Sequence, residues 1–140
     1  SAMVHAGDET VLADTDFARV GLSVCYDVRF AYLYRSLAKR GANVFLIPSA
    51  FTVSTGQQHW ETLVRARAIE TGGFVIAAAQ CGEHGNGRKT YGHSLIVSPW
   101  GKILAEGGDV PGIHLADIDL NEVQSFRSAI PSLGHDRDIT

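Results

Sequence analysis

The chain has 140 residues, of which 45% are hydrophobic and 19% charged, a balance that gives one compact domain with a buried core rather than a disordered segment. A formal net charge of −3, with no run of Lys or Arg, excludes the electrostatic footprint of a nucleic-acid or anionic-membrane partner. Apolar stretches such as FVIAAA are too short to cross a bilayer.

Two cysteines, Cys25 and Cys81, argue against a disulfide framework and point to a reducing cytoplasm. Ser1-Ala2-Met3 reads as a cloning remnant before an internal start, and no signal-peptide pattern opens the chain.

Residues 17–25 alternate, with Ala18, Val20, Leu22 and Val24 on one side, which predicts a strand reaching Cys25. In DVRFAYLYRSLAKRG, Phe30, Leu33, Leu37 and Ala38 recur at helical spacing, Asp27 is placed to cap the start, and Gly41 suits the left-handed turn beyond the end. ANVFLIPS then gives a short buried strand stopped by Pro48. Strand, helix and strand form a βαβ unit, so the two strands are expected to be parallel.

A second helix is expected over about 58–71, with Trp60, Leu63, Val64 and Ala68 as its buried stripe and Gly72-Gly73 at its end. FVIAAAQ reads as a third buried strand, and GEHGNG as a loop. HSLIVS and KILAEG, separated by Pro99-Trp100-Gly101, predict an antiparallel hairpin. IHLADID is expected as a last strand, followed by a capping box of Asp119 and Glu122 that opens a short helix toward Ala129, with Pro131 stopping it. The fold class is therefore α/β with a mixed sheet, in a single domain over 1–140.

Cys25 is the residue with a physical reason to react. It stands where an apolar strand turns charged, at the strand's carboxyl end, and a following helix would direct free amides toward a thiolate. The Tyr26 amide would lie where an oxyanion forms. Position alone leaves the other reading, a packed strand cysteine, open. Glu61 and Arg65 are one helical turn apart and, taken alone, read as a surface ion pair rather than a catalytic acid. The histidines are scattered and Cys81 with His84 lacks a partner pair, so no metal site is predicted. No phosphate loop and no serine nucleophile elbow occurs.

Taken in order, GLSVCYDVRF, PSAFTVSTGQQHWETLVRARAIE, FVIAAAQCG, YGHSLIVSPWGKILAE and ADIDLNEV resemble the carbon–nitrogen hydrolase, or nitrilase, superfamily, closest to its ω-amidase and deaminated-glutathione-type amidase branch. The resemblance implies half of a four-layer α-β-β-α sandwich and hydrolysis of a small amide or nitrile through a cysteine thioester. It places the nucleophile on Cys25, an accessory glutamate on Glu61, an oxyanion donor on Tyr26, and pocket residues on Phe51 and Thr52. No cofactor or metal is implied. Ala31 stands where the family usually has proline.

The family's base glutamate and oxyanion lysine precede the cysteine. Here only Asp8, Glu9, Asp14 and Asp16 do so, with no lysine, which predicts that the chain is the C-terminal half of the domain, nearly inactive alone. An uncovered sheet face would then favour a homo-oligomer. The alternatives are a non-catalytic assembly module with the same fold, and an acyltransferase sharing the thioester.

Overall fold

The computed structural model describes residues 5–139, so the reading of Ser1-Ala2-Met3 lies outside the described residues. Six strands form a mixed sheet, in the order β1-β2-β3-β4-β7-β8. Its centre is the expected βαβ arrangement. β2 (Arg19–Leu22), β3 (Val44–Leu46) and β4 (Phe74–Ala77) run parallel, with Val20 opposite Val44 and Val44 opposite Phe74. The crossovers are α1 (Ala31–Lys39) and α3 (Glu61–Thr71), which end against Gly41 (φ +96°) and Gly72 (φ +62°).

Several details depart from the sequence expectations. β2 stops at Leu22, and Cys25 is no strand residue; it opens a 3-10 turn, Cys25–Arg29, separated from α1 by a break at Phe30. Asp27 caps that turn by accepting from the Val24 N–H (2.9 Å). The second helix starts early, as α2 (Val53–Thr55) and a π-helical turn, Gly56–Trp60, before α3. β1 (Val11–Asp14), which the alternation did not announce, pairs antiparallel with β2 through a turn held by Thr15 and Ala18 (Thr15 N–H to Ala18 O, 2.9 Å).

The expected loop after Gln80 is a small hairpin of β5 (Cys81–Glu83) and β6 (Lys89–Tyr91). β7 (Leu95–Val97) and β8 (Ile103–Glu106) form the expected antiparallel pair. Residues 113–119, expected as a strand, pair with no strand among the described residues. Alternation in sequence reports which side chains avoid water, not whether a neighbouring backbone offers hydrogen bonds. Ile118 and Leu120 do pack on the sheet, whereas Ile113 and Leu115 face solvent. α4 (Asn121–Ala129) follows, with Asp119 Oδ1 accepting from the Asn121 N–H (3.0 Å).

The pleat divides the sheet's two faces. On one, Phe45, Val75 and Val97 meet Tyr34 and Leu37 of α1 and Val64 and Ala68 of α3 in the main core. Gly21 belongs to this face, where a Cβ would stand 2.9 Å from Phe45 Cδ1. On the other, Val20, Val44 and Phe74 are covered by Val123 of α4. Beyond them Leu22, Leu46, Ile76 and Ile96 form a row, in register across four strands, that α4 does not cover. The result is one helix layer on one face of the sheet and α4 on part of the other, where Leu22 is exposed and Leu46, Ile76 and Ile96 are half-buried.

Candidate active site

The carboxyl ends of β2, β3 and β4 rise side by side and bound a cleft of about 540 Å³. Its walls include Cys25 beyond β2, Pro48 and Ser49 beyond β3, Ala79 and Gln80 beyond β4, and Ser94 just before β7. Ligands collect at this end of parallel sheets because the chain leaves the hydrogen-bonded ladder there and exposes backbone and side-chain polar groups.

Cys25 takes φ +48°, a left-handed conformation that costs a non-glycine residue roughly 1–3 kcal/mol. Its own N–H donates to the Pro48 carbonyl (2.8 Å), which ties the turn to the end of β3. The thiol is free and half-buried. The Tyr26 amide, in the first turn of the 3-10 segment, has no acceptor among the described residues. Opposite, the Ser94 Oγ accepts from the Ala79 N–H (2.9 Å) and fixes the far wall.

Among the described residues, no carboxylate, lysine or histidine lines this cleft; Cys25 is its one titratable group. Nor does any group of His, Cys, Asp and Glu there have the arrangement of a metal site.

The other residues singled out from sequence are distributed as follows. Glu61 begins α3 on its solvent side, where its carboxylate accepts from Arg65 Nη1 (3.3 Å); it is not a wall of the cleft. The buried stripe of Trp60, Val64 and Ala68 turns Glu61 away from the core, so the helical phase itself favours the surface ion pair. Phe51 is buried against Trp60, with ring centroids 5.0 Å apart. Thr52 is exposed, its hydroxyl 2.8 Å from that of Thr55.

Arg29 was not singled out. It is half-buried beside the Tyr26 and Phe51 rings (5.6 and 5.4 Å to their centroids), and its guanidinium approaches His59 Nδ1 (3.3 Å). Two donors face that nitrogen, so His59 accepts through Nδ1. Arg29 has no carboxylate partner among the described residues. Ser49, Gln80 and Ser94 also escaped the sequence reading. The one signal for them was position, immediately after or before a buried strand.

Comparison with known proteins fits this arrangement. The carbon–nitrogen hydrolase family matches residues 1–128, and the chain belongs to that family. It is 47% identical over 137 residues to a deaminated glutathione amidase of Synechocystis sp. (strain PCC 6803 / GT-S), covering 96% of this chain and 50% of the relative. The Caenorhabditis elegans NitFhit protein superposes with a TM-score of 0.90 at 48% identity, covering 95% of this chain and 32% of that one. A mutant amidase from Nesterenkonia sp. AN1, solved after Michael addition of acrylamide at its active-site cysteine, gives a TM-score of 0.75 at 32% identity, over 94% and 51% of the two chains. The chain thus spans about half the length of the Synechocystis relative.

Proposed function

We propose that Cys25 is the nucleophile of an amide-cleaving carbon–nitrogen hydrolase. The observation that carries this reading is its φ of +48° at the mouth of a cleft formed by three parallel strand ends. Its sulfur attacks the carbonyl carbon of a small amide, and the Tyr26 amide is placed to donate to the oxyanion that forms. Collapse expels ammonia or an amine as the C–N bond breaks, leaving a thioester. Water then adds to the thioester carbonyl, the carbon–sulfur bond breaks, and the products are a carboxylic acid and the free thiol.

The proton traffic requires a base that the described cleft does not contain. General-base assistance commonly supplies about 10²–10⁴-fold in rate, so this chain by itself turns over slowly. The missing groups would come from whatever covers the open sheet face, whether a second copy or the segment implied by the length of the relatives. The Synechocystis relative is named a deaminated glutathione amidase, an activity of the same amide-cleaving class.

Two measurements test the proposal. Iodoacetamide, followed by mass spectrometry, should label Cys25 faster than Cys81, which is also free and half-buried. Ammonia release from simple ω-amides, slow for the chain alone, should disappear in Cys25→Ala. Equal labelling of the two thiols, with no release that depends on Cys25, would leave an assembly module as the better description.

A further inference from the structure

Beneath the cleft, buried polar groups grip the segment carrying Cys25 from both sides. Before it, Ser23 Oγ donates to the Leu46 carbonyl (2.9 Å), so in its 2.8 Å contact with Tyr34 Oη the tyrosine is the donor. Tyr34 is fully buried, and burial pushes its hydroxyl up to about 12, which keeps it a neutral donor. After Cys25, Arg67 of α3 donates from Nε to the Val28 carbonyl (2.7 Å) and from Nη1 to Glu70 Oε1 (2.9 Å). The Arg67 guanidinium lies 5.8 Å from the Tyr34 ring centroid and so joins the two grips.

Arg67 is only 7% exposed, and burying a guanidinium is costly unless its N–H groups find partners. An apolar side chain would fill the space with less desolvation. What it would not supply is a donor to Val28, which is fully buried and whose carbonyl therefore has no water to turn to. A non-glycine residue in a left-handed conformation persists only where its surroundings over-determine it. Here the determinants are the Ser23, Cys25 and Val24 bonds on one side and the Arg67 bond on the other.

We infer that Arg67 is a positioning residue for Cys25: held by Glu70, its guanidinium fixes the Val28 carbonyl and with it the strained turn from which the thiol projects. The inference rests on the nucleophile reading above. If the turn relaxes, the sulfur and the unpaired Tyr26 amide lose their fixed places at the cleft.

Competitive alkylation of the chain by iodoacetamide tests this, because Cys81 in the same molecule reports general loosening. In the wild type, a Cys25 rate no greater than that of Cys81 ends the nucleophile reading itself. With the wild-type preference established, Arg67→Met should lower the Cys25-to-Cys81 rate ratio about tenfold, the order expected from misplacing a reacting atom by part of an ångström. Arg67→Lys, which keeps the buried charge and one donor, should recover part of that loss. A ratio unchanged in both variants overturns the inference, as does a joint acceleration of both cysteines. Should Arg67→Met fail to fold, Arg67→Lys decides alone: a slower Cys25 beside an unchanged Cys81 supports the positioning role, and an unchanged Cys25 refutes it.

Discussion

Cys25 and Glu61 show what single residues reveal of themselves. The sequence marked Cys25 because an apolar alternation ends there and charge begins, and a strand end is where a sheet offers its reactive edge. It did not reveal that the pairing stops at Leu22 or that the cysteine is left-handed, because φ is set by bonds to Pro48 and through Arg67, both distant in sequence. Glu61 was carried by resemblance, yet its neighbours Trp60 and Val64 point into the core and leave it outside, against Arg65. Exposed pairs of this kind contribute about 0–1 kcal/mol. Glu61→Gln should accordingly leave Cys25 labelling and the rate of any amide hydrolysis within about twofold of wild type, as steady-state kinetics would show.

Elements that carry their own instructions were the legible ones. α1 and α3 have apolar stripes and glycines at their ends, and β3, β4, β7 and β8 are short apolar runs bounded by turn residues. The hairpin of β5 and β6 was hidden by its polar composition, and β1 by a burial pattern that does not alternate. Residues 113–119 erred in the other direction, since their alternation matched a strand that no neighbour completes among the described residues. The polar tail gave no sign that it docks. Asp136 nevertheless accepts from Arg35 Nε (2.7 Å) and from Lys39, securing the end of the chain to α1. The hydrogen bond from Arg35, then that from Lys39, lowers its carboxyl to about 2. A carboxylate depressed below its unfolded value of 3.8 contributes stability that is present above that value and lost as pH falls toward about 2. Wild type and Asp136→Asn should therefore differ in Tm near neutrality and converge on acidification through that interval.

At the level of the whole molecule, the row of Leu22, Leu46, Ile76 and Ile96 is an apolar strip left only partly covered, with Leu22 exposed and the other three half-buried. The mixed sheet and its helix layer were foreseeable from the βαβ order. Which part of the second face α4 would cover was not, because that depends on where 113–120 crosses the sheet. Concentration-dependent association should be visible by sedimentation at micromolar protein. Leu22→Lys, at a position already 39% exposed, should weaken that association with little change in Tm.

β2 and its continuation place Leu22 on the open face and Val24 and Cys25 at the rim of the cleft. Any body that shielded this row would therefore sit close to the rim that carries Cys25. Whatever factor such a body imposes on ligand affinity in the cleft, a ligand in the cleft would impose on the body's own affinity, whichever is varied first.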